Sequence, residues 1–365
     1  MTIESLKIRN IVILLLFFVL AVYCLVQAKA ILIPLSLGII IAYLLFPLTS
    51  FLEKKRVPRI LANFIGIFLI IFVLTAFFLF IYLEFNRFTD NLNELQAQAN
   101  LNINKIAHYI RQNTGLPIDQ QKKLIQDFIN KIFSGNNGIT RDLFKATSGT
   151  LFKLGILPVF IFYLLYYREL FERFIKSIVS SEFKERTENI LAQVSYITPR
   201  YILGIITVIV ILSIINSFGL WIIGVRYPIV FGVISAVFNF IPYFGTWIGA
   251  SIPILFTVLT GSSPKLAIFV LLFYAFVQFL ENNILTPNIT GSYVNLNPFI
   301  TILSIIVGGL IWGIAGMFVI IPFMAMFKIL CEHSESMQPL AILIGKKQIP
   351  VREKLIKKIE RWFKL

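Results

Sequence analysis

Few side chains in this sequence are equipped for chemistry, and the best of them lie together. Gln278, Glu281, Asn282 and Asn283 close an apolar run that begins at Leu266. Only Leu266 to Leu280 precede the carboxylate, so a helix long enough to cross a bilayer must carry Glu281 and its neighbours into or against the membrane. Ionisable groups at that depth are costly and rare, and they mark ion or substrate pathways. A carboxylate there can bind Na+ or carry a proton, and the Asn and Gln amides can act as neutral ligands to a polar solute. The competing reading sets Glu281 at a helix end, reaching the inner headgroups. Asn239 and Asn216 are weaker candidates to offer an amide to a solute. Both also suit hydrogen bonds between packed helices.

Other chemistries lack their residues. Cys24 and Cys331 form no CxxC pair, His108 and His333 are far apart, and Cys331-Glu332-His333 reads as a solvated helix end, so no disulfide framework or metal site is expected. The chain holds no HExxH, GxSxG, Walker loop or aspartate-rich diphosphate motif, which argues against a membrane-embedded enzyme and against any cofactor beyond Na+ or H+ as a coupling ion.

These residues need elements to hold them, and the composition names the elements. Of 365 residues, 58% are hydrophobic and 14% charged, whereas soluble chains are about a quarter charged. The apolar residues come in blocks such as Ile11 to Val26 and Ile60 to Leu83, each near the roughly 20 residues of a membrane-crossing helix. A helix pairs its own backbone in hydrocarbon, so an all-α integral membrane protein is expected. The net charge of +15 lies between the blocks and at the C-terminus, as topology and lipid-headgroup signals; the partner it implies is the bilayer, with no nucleic acid.

Six full spans are expected, at about 8–28, 31–52, 60–83, 151–167, 201–225 and 266–285. Lys7 and Arg9 precede the apolar run of the first span, and Ala28-Lys29-Ala30 imitates a cleavage site, but the run exceeds a signal core and the helix is read as retained. The basic loop Glu53-Lys54-Lys55-Arg56, with Arg59, belongs on the cytoplasmic side and places both termini there. Residues 84–150 then form an extracytoplasmic helical insert. Phe85, Phe88, Leu92 and Leu95 recur at helical spacing, and the resulting stripe either caps its own protomer or joins protomers in a homo-oligomer. Residues 168–200 read as a charged cytoplasmic linker. In residues 350–365, Val351, Leu355, Ile359 and Trp362 share one face of a basic amphipathic tail suited to the inner headgroup layer.

Two tracts do not fit simple spans. Tyr227 to Pro264 and Asn282 to Phe327 carry no charge. A helix from Pro228 to Thr260 would reach about 50 Å, against about 30 Å of hydrocarbon. Breakers interrupt both: Asn239, Pro242 and Gly245 in the first, Gly308, Gly309, Gly313 and Gly316 in the second. Each tract is expected to fold as a re-entrant helical hairpin, and with the span before each, 201–225 and 266–285, the unit repeats with inverted topology. Inverted repeats with broken helices are the architecture of secondary transporters. The alternative is eight simple, kinked spans. The domain organisation on this reading is a three-helix membrane region 1–83, the insert 84–150, a fourth helix and linker 151–200, a transport core 201–331, and a cytoplasmic tail 332–365.

A set of motifs then points to a family. The run Glu281-Asn282-Asn283-Ile284-Leu285-Thr286-Pro287, then Gly291, Leu296 and Pro298, followed by Gly308-Gly309, Gly313, Gly316 and Pro322, resembles the signature of the autoinducer-2 exporter family. Phe162-Tyr163-Leu164-Leu165, Tyr201-x-x-Gly204 and Ile241-Pro242-Tyr243-Phe244-Gly245 resemble it too. One departure is Tyr167-Arg168-Glu169, where many relatives place an Asp-containing turn. The resemblance spans essentially the whole chain. It implies an oligomeric permease of the bacterial inner membrane, either exporting a small polar solute such as a quorum-sensing furanone or exchanging Na+(Li+) for H+.

Overall fold

The computed structural model describes residues 3–89, 91–114, 123, 155–242, 245–261, 263–289 and 295–345. The C-terminal basic tail, Gly291 and most of the insert beyond Thr114 lie outside the described residues. The described residues are helical throughout, with one isolated bridge between Leu296 and Gly345. Five helices among them are long and apolar enough to cross a membrane, and several shorter apolar ones accompany them. Large side chains such as Phe68, Phe72 and Phe78 stand exposed, an arrangement suited to lipid and not to water.

The N-terminal region is α1 (Ile3–Gln27), α2 (Lys29–Lys54) and α3 (Arg59–Thr89). α3 outruns its expected end and is followed by α4 (Leu92–Thr114), the described part of the insert. Leu95, Ala99 and Ile103 of α4 are buried in one cluster with Leu220, Phe231, Ala250 and Phe256. The Asn102 amide donates to the Leu259 and Gly261 carbonyls at 2.9 and 3.0 Å, filling acceptors that a helix C-terminus leaves open. Leu95, Ala99, Ile103 and Asn102 of α4 thus rest on their own chain.

α5 (Leu157–Tyr166) packs beside α2, with Phe160 against Gly38, and leads into α6 (Arg168–Ile178). Ion pairs tie α6 back: Arg168 to Glu53 at 2.5 Å and Glu169 to Arg59. The expected linker 168–200 is thus largely helix. α7 runs unbroken from Lys184 to Ile223, 40 residues with Pro199 inside it. Its charged first turns hid this continuity, and a proline inside a helix is tolerated where neighbours re-satisfy the freed backbone. Gly224, at φ 86°, ends α7 in the left-handed conformation that glycine adopts without a Cβ penalty.

Both uncharged tracts break where a breaker stands and fold into antiparallel pairs. The first gives α8 (Pro228–Phe238) and α9 (Gly245–Thr260). Phe238 faces Gly245, Ser235 faces Gly249, and the rings of Phe231 and Phe256 lie 4.5 Å apart. Next come α10 (Pro264–Leu280), a π-helical turn Glu281–Leu285 and α11 (Thr286–Ile289). The second tract gives α12 (Pro298–Trp312) and α13 (Ile314–Glu332), followed by α14 (Gln338–Ile344).

Of the four glycines expected to break the second tract, only Gly313 does so, at φ 64° and ψ −143°. Gly308, Gly309 and Gly316 lie inside helices. Gly308 and Gly316 face each other so closely that a Cβ on either would strike the other's carbonyl, and Gly309 faces Met317. These three are contact surfaces, the small-residue packing that lets membrane helices approach. α13 also differs from expectation in length: its 19 residues continue through Lys328 to Glu332, enough to cross a membrane by itself.

Gly308→Val should force α12 and α13 apart and cost about 1–3 kcal/mol of overpacking strain, whereas Val307→Ala on the exposed side of the same helix should cost far less. Thermal unfolding midpoints of the two variants in detergent give the comparison.

Candidate functional site

The break between α8 and α9 is where the polar residues gather. Asn239 follows the last residue of α8, and Thr246 sits in the first turn of α9. Facing them is Glu281, which opens the π-helical turn after α10. A π turn places one extra residue in a helical circuit and is found mostly at functional positions. The helix does not end at the carboxylate; the apolar span continues to Ile289. Glu281 is 6% exposed, so it is covered by protein.

Its oxygens meet donors. The Asn239 amide nitrogen donates to Oε1 at 2.7 Å. The Thr246 hydroxyl lies 2.9 Å from the Asn239 amide oxygen and 3.3 Å from Glu281 Oε2. Gln278 Nε2 approaches Oε2 at 3.5 Å and donates to Asn282 Oδ1 at 3.0 Å. An ionised carboxylate accepts here from Asn239 and Thr246, and a protonated one can instead donate from Oε2 to the Thr246 hydroxyl, whose own hydrogen then goes to Asn239 Oδ1, so the set serves either form. The N-terminal end of α9 beside it favours negative charge. Among the described residues no Lys or Arg forms an ion pair with Glu281.

The cluster opens into a cavity of about 270 Å³. Asn239, Phe240, Pro242 and Thr246 form one wall, Gln278, Glu281 and Asn282 a second, and Tyr201, Ile205, Val208 and Ile209 of α7 a third. Thr286, Asn295, Leu296, Pro298, Thr301 and Ile321 complete it. The two antiparallel pairs meet here: Phe240 stacks on Phe318 of α13 with ring centroids 3.7 Å apart. The cavity is therefore framed by both broken tracts and by the helices that precede them.

Of the residues expected at the site, Glu281, Asn239, Gln278, Asn282, Pro242 and Pro298 line this cavity. Asn283 does not: its amide donates to the Phe279 carbonyl at 2.8 Å, and the side chain is exposed. Pro287 is exposed on α11, and Pro322 is buried inside α13. Gly245 is a close-approach glycine, because a Cβ there would strike the Phe238 carbonyl. Gly308, Gly309, Gly313 and Gly316 belong to the second pair and not to the cavity wall. Tyr201 entered only through the motif Tyr201-x-x-Gly204, and Thr246, Asn295 and Thr301 went unrecognised. Thr246 had a usable signal, a hydroxyl directly after a breaker glycine; the others had none beyond their polarity.

Asn216 sits apart from the cavity in a second polar group. Its amide donates to Ser235 at 3.1 Å, and Ser235 also accepts from the Tyr274 hydroxyl at 2.9 Å. This group fastens α7, α8 and α10 together, the helix-packing role its residue type allowed.

Fold and cavity together define a class: an all-helical, multi-pass membrane protein whose buried polar chamber is built from broken helices. Residues 11–336 match the sequence profile of the AI-2E family transporter, and the chain belongs to that family. It is 26% identical over 338 residues to the AI-2 transport protein TqsA of Escherichia coli, covering 87% of this chain and 90% of that one. It is 29% identical over 322 residues to YrrI of Bacillus subtilis, provisionally named a transport protein, covering 84% and 87%. YueF of the same organism, named likewise, is 24% identical over 298 residues, covering 81% and 76%.

Asn239→Leu should leave Glu281 Oε1 without its shortest hydrogen bond and cost about 1–3 kcal/mol. Asn239→Asp should be worse, since it sets two carboxylates together. Thermal unfolding of both variants at neutral pH should rank wild type above Leu and Leu above Asp.

Proposed function

We propose that the chain is an ion-coupled secondary transporter that exports a small polar solute, with Glu281 as the coupling carboxylate and residues 201–331 as the transport core. The carrying observation is a buried carboxylate, surrounded by neutral donors and facing a chamber between broken helices. An ionised group in such surroundings is expensive without a counter-charge, and taking up a cation or a proton relieves that cost. Asn239, Gln278, Thr246 and Asn282 then serve as neutral ligands that hold either the ion or the solute. TqsA, named for AI-2 transport, supports a small polar solute as cargo.

A second reading, exchange of Na+(Li+) for H+ with no organic cargo, is favoured by the oxygens themselves. Asn239 Oδ1, Thr246 Oγ1 and Glu281 Oε2 lie close together, and carboxylate, carbonyl and hydroxyl oxygens suit hard cations. Cation-driven proton flux into vesicles containing no organic solute separates the two readings.

In this account the two antiparallel pairs are re-entrant and open to opposite faces, with both termini cytoplasmic in the bacterial inner membrane. α8, α9 and α12, with 11, 16 and 15 residues, span about 16, 24 and 22 Å, short of the hydrocarbon thickness. α13 is longer, and on this reading only its uncharged part, Ile314 to Phe327, about 21 Å of helix, lies in hydrocarbon, with the turns from Lys328 on beyond it.

Glu281→Gln should abolish ion-driven solute flux in proteoliposomes while the protein inserts and unfolds normally; unchanged coupled flux would remove Glu281 from the mechanism. Single cysteines at Pro242 and Ile314, beside the two breaks, should each react with a water-soluble thiol reagent, from opposite sides of the membrane. These positions avoid Gly245, where a Cβ collides, and Gly313, whose backbone needs glycine. Labelling of both from one fixed side would favour kinked full spans.

A further inference from the structure

The apolar face of α6 has no protein over it. Leu170, Phe171, Phe174 and Ile178 are exposed, and Ile175 stands beside them. At 100° per residue these five fall on one side of the helix, and Arg168, Glu169, Glu172, Arg173 and Lys176 fall on the other.

The charged side is already engaged. Arg168 pairs with Glu53 and Glu169 with Arg59, at the turn between α2 and α3. Lys176 pairs with Glu172 at 2.9 Å and with Glu188 of α7 at 2.8 Å. The helix is thus held at both ends, and the heights of those ends can be read. The Tyr43 hydroxyl bonds Ser195, and Ile40 shares a cluster with Tyr201 and Ile202, so α2 and α7 run antiparallel. From that crossing, Glu188 is about 10 Å back along α7, and Lys54 is about 16 Å along α2. The Lys176 end therefore lies no further from the bilayer centre than the end of α2, which is where the Arg168 end is anchored. With both ends at the level where the spans α2 and α3 turn, the helix lies along the membrane surface.

We propose that α6 is an in-plane anchor whose apolar face is immersed in the boundary between headgroups and acyl chains of the leaflet at the α2–α3 turn. The occupant of that face is phospholipid. Exposed Tyr163 on α5 stacks on Tyr167 in the turn before α6, and Tyr167 lines one hollow with Leu170; tyrosines of this kind are enriched at membrane interfaces. A short helix with apolar and charged residues on opposite sides suits this position. The anchor links the N-terminal helices to α7, whose later turns line the cavity, and so fixes the base of that wall relative to the membrane.

The test is spin labelling of the full-length protein in proteoliposomes, with Cys24 and Cys331 replaced and single labels at Phe174, Ile178 and Arg173. Labels at Phe174 and Ile178 should relax faster with oxygen, which concentrates in lipid, than with a water-soluble nickel chelate. The label at Arg173 should show the opposite preference. A nickel preference at Phe174 and Ile178 would put the face in water and overturn the proposal. Shielding from both reagents would show a protein cover, such as a second copy, and overturn it equally. If the Phe174 label disturbs folding, Ile178, the last residue of the helix, decides the question alone.

Discussion

A polypeptide inside hydrocarbon must pair every backbone donor and acceptor with itself, and the arrangement of this protein follows from where its helices fail to do so. The chain breaks between Phe238 and Gly245 and again at Gly313. At the first break the released polarity is covered by protein: Asn239 and Thr246 turn toward Glu281, and Phe240 lies on Phe318. Non-helical backbone at membrane depth survives only when buried or when lining a wet chamber, and here the break and the chamber coincide. The polar site is thus the form that a tolerated break takes.

Close backbone contact supports this arrangement. Gly245 and Gly249 let α9 lie against α8, and Gly308 and Gly316 do the same for α12 and α13. At these glycines the two arms of each pair meet backbone to backbone, with no side chain between them. The chamber wall can therefore be assembled from short helices that would bury little surface alone. The insert adds a clamp, with Asn102 bonded to the carbonyls at the far end of α9, so the first pair is held at its tip by Glu281 and at its base by α4.

Much of this was legible in the sequence, for identifiable reasons. Length against bilayer thickness located both interrupted tracts, and the cost of a buried carboxylate singled out Glu281. What failed was the reading of glycine as a breaker wherever it occurred: Gly308, Gly309 and Gly316 are small so that helices can touch, a distinction that depends on the partner helix. The segment 168–200 was read only as a charged linker, because its charge and Pro199 obscure the helical spacing of α6 and α7. Thr246 was overlooked because a threonine in an apolar run is usually bonded to its own helix, as Thr257 is to the Pro253 carbonyl. The docking of the insert needed contacts that no local pattern contains.

The hydroxyl of Thr246 stands between two oxygens, one on Asn239 and one on Glu281, and it has a single hydrogen to offer. Whichever it chooses, the other is left with less. The tip of the first pair is therefore fastened to α10 by a bond that can change allegiance without moving a heavy atom. Any positive charge arriving at Glu281 Oε2 would turn that hydrogen toward Asn239, so the smallest group in the site is placed to register the arrival of the largest charge.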